Sequence, residues 1–137
     1  MNLIHRHGGN AENDKVLECI VKPLMPHIRL FNNEPVLVMK CYDRSLHELN
    51  LDKKVTVSDL QWRHFFRRLF LAVRFLHTVG FVHRDLKPSN VMVETKDGPE
   101  EERYNPVIID FGLANIPYGT GGTPRYLPPE AFGEIPE

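Results

Sequence analysis

The clearest pattern of apolar and polar positions runs from residue 58 to residue 80. Apolar side chains recur there at spacings of three and four, which is the period of an α-helix with a buried face. Ser58 and Gln61 have the spacing of a capping box, and Gly80 is a natural stop. The pattern therefore predicts a helix of roughly 33 Å, at about 1.5 Å per residue. Its apolar positions are Trp62, Phe65, Phe66, Leu69, Phe70, Val73, Leu76 and Val79.

The arginines between these positions leave two other interpretations of the helix. A basic amphipathic helix with aromatic residues is also typical of calmodulin-type targets and of membrane-surface helices. A helix of the protein core is the preferred interpretation, because its apolar face is wide enough for burial on several sides.

Short apolar runs before this helix predict part of an antiparallel sheet. Residues 3–13 have the composition of a loop, and residues 32–35 that of a turn. A short helix is expected at residues 45–50. The predicted strands are residues 16–21, residues 28–31 and a buried strand at residues 36–39.

Two short strands after the helix, at residues 91–93 and 107–109, are joined by a charged loop. They predict a hairpin, which brings Asn90 near Asp110. A solvated tip is the preferred interpretation of the acidic loop, and a docking site is the alternative. Residues 116–137 are mostly Gly, Pro, Tyr and Thr, so we expect an extended surface loop.

Composition narrows the class of protein. With 137 residues, 42% of them apolar and 26% charged, the chain fits one globular domain. The formal net charge of -1 supplies no basic field, so neither nucleic acid nor a membrane is an expected partner. Two cysteines without Cys-x-x-Cys spacing suggest neither a disulfide framework nor a zinc site. We expect a cytoplasmic protein, with the nucleus as the alternative, because no signal peptide or membrane-spanning run is present.

Four polar residues near the hairpin carry the candidate chemistry: Asp85, Lys87, Asn90 and Asp110. Asp85 can accept a proton from a hydroxyl, and Lys87 can neutralise charge on a phosphate. Carboxylate and amide oxygens are suitable magnesium ligands, which Asp110 and Asn90 can supply. The set therefore suits a site that handles a polyphosphate, a divalent metal and a hydroxyl nucleophile.

Three motifs resemble those of eukaryotic protein kinases of the serine/threonine type. Residues 83–90 (His-Arg-Asp-Leu-Lys-Pro-Ser-Asn) and 110–112 (Asp-Phe-Gly) resemble the catalytic and metal-binding loops. Residues 122–130 resemble the end of the activation segment, with Pro-Pro-Glu where the family has Ala-Pro-Glu. The resemblance implies an α+β, protein-kinase-like fold.

The same resemblance implies a partial kinase domain over residues 1–137, with the following division. Residues 1–42 correspond to the remainder of the small lobe and the hinge, and residues 43–137 to the start of the large lobe. The large-lobe part includes the catalytic loop at 83–90 and the activation segment at 110–130.

The implied reaction is transfer of the ATP γ-phosphate to a protein hydroxyl. Asp85 orients and deprotonates the hydroxyl, Lys87 contacts the terminal phosphate, and Asn90 and Asp110 hold Mg²⁺. The residues implied in ATP binding are Met39 as gatekeeper, Lys40 and Cys41 in the hinge, and Met92 below adenine.

The activation segment carries the implied specificity and regulation. Lys87 and Thr123 resemble serine/threonine rather than tyrosine kinases, and Thr123 is expected to contact the catalytic loop. Arg84 corresponds to the residue that pairs with a phosphorylated activation loop, and Glu130 ends the segment. Thr120 and Tyr118 are candidate phosphate acceptors for an upstream kinase, and for Thr120 an unmodified turn residue is the equal alternative.

The glycine-rich loop, strand lysine and helix glutamate of the family precede the matching region, and its later helices follow that region. We therefore expect a kinase fragment that is marginally folded and transfers phosphate poorly by itself. The alternatives are a catalytically inactive kinase-like interaction module, an incomplete gene product and, more distantly, a small-molecule kinase. The expected partners are a protein substrate and an upstream kinase.

Overall fold

Three α-helices and five short β-strands are found in the described part of the chain, which is residues 11–25, 28–114 and 121–132 of a computed structural model. The side chains of residues 11–13, 130 and 132 are not described. The helices are α1 (Ala11–Leu17), α2 (Leu46–Leu51) and α3 (Asp59–Thr78). The strands are β1 (Arg29–Phe31), β2 (Glu34–Val36), β3 (Arg44–Ser45), β4 (Val91–Thr95) and β5 (Tyr104–Ile108).

Helix α3 confirms the prediction made from the apolar pattern. The Gln61 amide donates to Ser58 Oγ at 3.2 Å, and the Ser58 amide donates to Gln61 Oε1 at 2.8 Å, so both halves of the capping box form. Gly80 follows the helix with a φ of 82°, a left-handed conformation that glycine adopts without steric cost. The predicted short helix is α2, which Ser45 and Glu48 cap in the same way.

The strands form two separate antiparallel sheets. β1 and β2 make a hairpin whose two-residue turn, Asn32 and Asn33, has positive φ at both positions. The other sheet has the order β3-β4-β5, and Val91 lies opposite Ile108. The predicted hairpin is thus confirmed, with five residues in each of its strands.

Two apolar clusters lie along α3. Ala72 and Leu76 near its end pack with Cys19, Ile20 and Ile108. Phe65 near its start packs with a second group, which consists of Leu46, Leu49, Val91 and Val93. Leu69 contacts both clusters, so α3 is the element that joins the two halves of the core.

The prediction of a strand at residues 16–21 is wrong. Residues 16 and 17 belong to α1, a turn follows, and only Ile20 forms a bridge, parallel to Ile108. The Val21 amide donates to the Ile108 carbonyl at 2.9 Å, which places this segment on the open edge of β5. Strand propensity depends on context, and here tertiary pairing uses only the end of the run. The predicted loop also fails at residues 11–13, which are helical, and residues 3–10 lie outside the described residues.

The predicted buried strand at residues 36–39 is also wrong. β2 ends at Val36, and Met39 forms only a bridge to Pro23. Leu37, Val38 and Met39 are 46%, 37% and 36% exposed, because the β1-β2 hairpin is a separate sheet. The turn is shorter than predicted, since Glu34 and Pro35 belong to β2.

The last described segment, residues 121–132, contains single 3₁₀ turns at Pro124–Tyr126 and Pro129–Phe132. Residues 116–120 and 133–137 of the expected surface loop lie outside the described residues, as does residue 115. Within the described ranges, no helix has the length and apolar character needed to cross a bilayer.

Replacing Phe65 by Ala should lower the free energy of unfolding by about 3–5 kcal/mol, because the ring is fully buried. Phe70, on the same helix, is 68% exposed, so Phe70→Ala is a matched control with an expected change below about 0.5 kcal/mol. Urea unfolding followed by circular dichroism measures both. Equal losses would contradict the assignment of these two rings to core and surface.

Candidate active site

The β4-β5 hairpin places the candidate catalytic loop beside the segment that follows β5. A 3₁₀ turn at Pro88–Asn90 leads directly into β4. The Ile109 amide donates to the Asn90 carbonyl at 3.0 Å, which extends the strand pairing by one step. Asn90 and Asp110 therefore lie at neighbouring strand ends, as the hairpin predicted.

His83 joins these two segments. It is 3% exposed, and its Nε2 lies 2.8 Å from the Ile109 carbonyl oxygen. The Asp85 amide donates to His83 Nδ1 at 3.2 Å, so Nδ1 is an acceptor and the ring proton is on Nε2. Nε2 therefore donates a hydrogen bond to the Ile109 carbonyl oxygen. The ring also packs on Phe111, with 4.8 Å between ring centroids. His83 thus fixes the backbone of Asp85 against the loop that carries Asp110.

The Asp85 carboxylate receives four polar contacts from three other residues. Thr123 donates to Oδ1 through its amide at 2.9 Å and its hydroxyl at 2.8 Å. Lys87 Nζ lies 2.9 Å from Oδ2, and Asn90 Nδ2 donates to the same oxygen at 3.1 Å. The Asp85 side chain is 10% exposed, so these contacts determine its charge.

Burial raises the pKa of the Asp85 carboxyl, but hydrogen bonds from Lys87 and Thr123 outweigh burial and hold the pKa below its ordinary value of 3.8. The folded protein therefore favours the ionised form. Its contribution to stability is fully present above the ordinary pKa and is lost as the pH falls through the lowered value. Asp85 is an anion at neutral pH.

Lys87 and Thr123 complete a closed set of contacts. Lys87 Nζ donates to Thr123 Oγ1 at 2.6 Å, while the same hydroxyl donates to Asp85. The segment at residues 121–132 is thereby attached to the catalytic loop through one side chain. This is the contact that the sequence led us to expect of Thr123.

Gly122 is a site residue that the sequence analysis did not single out. Its φ is 128°, and a Cβ there would lie 2.6 Å from Leu127 Cδ2 and 3.1 Å from the Arg84 carbonyl oxygen. Arg84 itself has a φ of 71°, a strained value for a residue with a side chain. The close approach of two backbones needs glycine, and its place directly before Thr123 was the available signal.

Asn90 and Asp110 offer oxygens of the kind that Mg²⁺ binds. Asn90 is 6% exposed, and its Nδ2 donates to Asp85 at both the carbonyl and the carboxylate, which leaves Oδ1 for a metal. Asp110 is exposed with a φ of 61°, and its Oδ1 accepts from the Gly112 amide at 3.3 Å. No group of three or more His, Cys, Asp or Glu that could hold a metal occurs among the described residues. The Asn90 amide and the Asp110 carboxylate are the oxygen donors that this part of the site offers to a hard cation.

Two of the predicted ATP-binding residues, Lys40 and Met92, lie at strand β4. Lys40 forms an ion pair with Glu94, which also contacts Lys96 at 3.2 Å. Glu94 and Met92 alternate with buried valines, so Lys40 reaches the face of β4 that carries Met92. Cys41 is exposed, and Met39 lies at the bridge to Pro23.

Of the predicted regulatory residues, Arg84 and Thr123 lie within the described part of the chain together with their side chains. Arg84 lies in the catalytic loop beside Gly122, as described above. Thr120 and Tyr118 lie outside the described residues, and the Glu130 side chain is not described. The pairing of Arg84 with a phosphorylated residue stays a prediction.

Known proteins similar to this chain share one family description. The family model for the protein kinase domain matches residues 18–136. The chain is 38% identical to serine/threonine-protein kinase 33 of Bos taurus over 107 residues, which are 70% of this chain and 22% of that protein. It is 40% identical to serine/threonine-protein kinase ppk34 of Schizosaccharomyces pombe over 76 residues, which are 51% of this chain and 20% of that protein.

A similar solved structure is a chain in the crystal structure of the yeast RNA Pol II CTD kinase CTDK-1 complex. The TM-score is 0.57 at 26% sequence identity, and the match covers 80% of this chain and 36% of that one. The chain thus spans about a fifth of the length of the two curated relatives and about a third of the solved chain.

Replacing Thr123 by Val should raise the pKa of Asp85, because the carboxylate loses a hydroxyl donor and Lys87 loses an acceptor. The ¹³C chemical shift of the carboxyl carbon, followed through an acid titration, measures the change. Thr95→Val, at an exposed position of β4, is the control and should leave the titration unaltered. An unchanged midpoint in Thr123→Val would show that the hydroxyl does not stabilise the anion.

Proposed function

The chain belongs to the protein kinase family, and from this membership we propose that it carries the catalytic loops of a serine/threonine kinase, which transfers the γ-phosphate of ATP to a protein hydroxyl. Its α+β architecture is that of the family. The observation that carries the proposal is the closed set of contacts among Asp85, Lys87, Asn90 and Thr123. A binding module has no chemical need for this set.

Asp85 is proposed to orient the acceptor hydroxyl and to take its proton. A carboxylate with a lowered pKa is a weak base, so it serves best as an acceptor that aligns the hydroxyl. Phosphoryl transfer passes through a loose transition state, in which alignment and charge stabilisation matter more than strong basicity. The proton moves to Asp85 as the bond between the acceptor oxygen and the γ-phosphorus forms and the bond from that phosphorus to the bridging oxygen breaks, which releases ADP.

Lys87 is proposed to neutralise charge on the migrating phosphoryl group. Its ammonium lies between Asp85 and Thr123, so it is held beside the carboxylate that receives the hydroxyl. Lysine acts on phosphate as a point charge with three donors. The contacts with Asp85 and Thr123 use two of these donors, which leaves the third for the phosphate.

Asn90 and Asp110 are proposed to hold Mg²⁺ through Asn90 Oδ1 and the Asp110 carboxylate. The ion supplies charge neutralisation on the ATP phosphates. The contacts of Asn90 Nδ2 with Asp85 fix which atom of the amide faces the metal. Adenine is proposed to bind near Met39, Lys40, Cys41 and Met92.

The proposal includes the substrate, the upstream kinase and the cellular location of the protein. The substrate is a protein serine or threonine, since relatives at 38% and 40% identity are named serine/threonine-protein kinases. An upstream kinase acting on Thr120, with Arg84 as the phosphate ligand, is the proposed regulation. We propose a cytoplasmic location, with the nucleus as the alternative, and neither nucleic acid nor a membrane as partner.

A second candidate function, a kinase-like interaction module, is favoured by one observation. Phe66 and Phe70 on α3 are 40% and 68% exposed, and Phe66 stacks on Trp62 with 5.7 Å between ring centroids. Exposed aromatic patches mark interaction surfaces. The two functions are separated by whether the protein turns over ATP.

Asp85→Asn in the full-length protein should lower the turnover of a serine peptide by about 10²–10⁴, because the hydroxyl loses its proton acceptor. Transfer of ³²P from ATP to serine, threonine and tyrosine peptides measures turnover and acceptor preference together. Asp97→Asn, at the exposed hairpin loop, is the matched control. No transfer by the unaltered protein supports the interaction module, whereas equal rates in both variants refute the role of Asp85.

Asp110→Asn should raise the Mg²⁺ concentration needed for half-maximal turnover by at least about 10–100-fold, which is the loss typical of removing a ligand's supporting partner. The amide keeps the shape of the side chain and removes the charge that a hard cation prefers. A magnesium titration of peptide phosphorylation provides the measurement, again with Asp97→Asn as control. An unshifted midpoint would assign the metal to other residues.

A further inference from the structure

A cavity of about 290 Å³ lies between α1 and the first half of α3, outside the candidate active site. None of its lining residues belongs to the catalytic loop or to the segment at residues 110–112. Its walls come from α1, from α3 and from the 3₁₀ turn at Glu100–Glu102. The cavity therefore needs an explanation separate from phosphoryl transfer.

The charge on the cavity wall is mainly positive. Lys15, Arg67 and Arg68 line it, and Glu102 is the acidic lining residue. Arg68 pairs with Glu102 at 2.8 Å, while Lys15 and Arg67 form no ion pair with any residue that the structure describes. Two cations without counter-ions in a concave site concentrate positive potential there. The complementary ligand is an anion.

Arg68, the third cation of the cavity wall, is held in place by residues at the floor of the cavity. Arg68 donates to Asn105 Oδ1 at 2.7 Å, and both Asn105 and Cys19 below it are fully buried. Burial raises the pKa of the Cys19 thiol to about 11, so it stays protonated and contacts Asn105 Oδ1 at 3.5 Å. A guanidinium has five N–H donors, of which these contacts with Asn105 and Glu102 occupy two. Arg68 is thus fixed in position with donors remaining for a ligand.

The volume of the cavity and the apolar residues in its wall limit the class of ligand further. Val16 and Leu71 line the cavity beside the cations. The volume of about 290 Å³ lies at the lower end of the range for small-molecule sites, which is about 300–1,000 Å³, and it also suits a group the size of one or two side chains. A carboxylate next to an apolar side chain matches both parts of the wall, whereas a free inorganic anion contacts only the cations.

We propose that the cavity is a docking pocket for an acidic peptide segment of a partner protein. A carboxylate binds among Lys15, Arg67 and Arg68, and the neighbouring apolar side chain packs on Val16 and Leu71. Docking here is separate from the chemistry at Asp85, so it survives changes that abolish phosphoryl transfer.

The test uses the full-length protein and a fluorescein-labelled peptide, Gly-Glu-Leu-Glu-Gly, followed by fluorescence anisotropy. Arg67→Glu should weaken binding at least tenfold, because it reverses a charge on the wall. Arg74→Glu is the matched control, since it makes the same change at an exposed position of α3 outside the cavity. Both variants should phosphorylate an unrelated serine peptide at the unaltered rate.

Three results would overturn the proposal. The first is no binding of the peptide at concentrations up to about 1 mM. The second is equal weakening by Arg67→Glu and Arg74→Glu, which would indicate general attraction to basic helix positions. The third is displacement of the peptide by inorganic phosphate at equal concentration, which would assign the site to a free anion. A peptide with Gln at both Glu positions should bind at least tenfold more weakly.

Discussion

The carboxylate of Asp85 is the point on which the rest of the active site depends. It receives donors from its own loop, through Lys87 and Asn90, and from the later segment, through Thr123. Removing that charge takes an acceptor from Lys87, Asn90 and Thr123. The hydrogen bond from Lys87 to Thr123 is then the remaining described side-chain contact between the catalytic loop and the segment at residues 121–132. One ionised group therefore sets both the chemistry and the local geometry.

Strained backbone surrounds that carboxylate. Arg84 and Asp110 have positive φ, and Gly122 provides the close approach to the Arg84 carbonyl. Left-handed residues with side chains cost about 1–3 kcal/mol each and persist where neighbouring contacts fix them. Here His83 supplies those contacts, because its ring forms hydrogen bonds with the Asp85 amide and with the Ile109 carbonyl. The strain is thus located in Arg84, which is next to the proposed catalytic Asp85, and in Asp110, which is itself a proposed metal ligand.

Elements with strong local signals could be predicted from the sequence. Helix α3 has a capping box and a sustained period, and the β4-β5 hairpin has two apolar runs around a polar loop. The four polar residues of the site were identified by their motifs, and the hairpin correctly placed Asn90 near the segment of Asp110. These predictions depend on contacts between residues that are near in sequence or joined by one turn.

The wrong predictions concern segments whose structure depends on contacts with distant parts of the chain. Residues 16–21 have strand composition, yet most of that run is helix and turn because β5 pairs only with its end. Residues 36–39 are apolar but exposed, since a run of apolar residues does not show whether a second layer covers it. Gly122 and the cavity beside Arg68 also arise from segments far apart in the chain. Local pattern cannot specify these approaches.

Strand β5 connects the two proposed sites and limits how they can work together. Asn105 below the cavity and Asp110 at the metal-binding end are five residues apart, which is about 17 Å at strand spacing. If the proposed docking partner is also the substrate, docking at the cavity would raise the effective concentration of its acceptor hydroxyl without a new contact at Asp85. An extended chain covers about 3.3–3.6 Å per residue. For such a substrate, about five extended residues are enough to span a separation of this order.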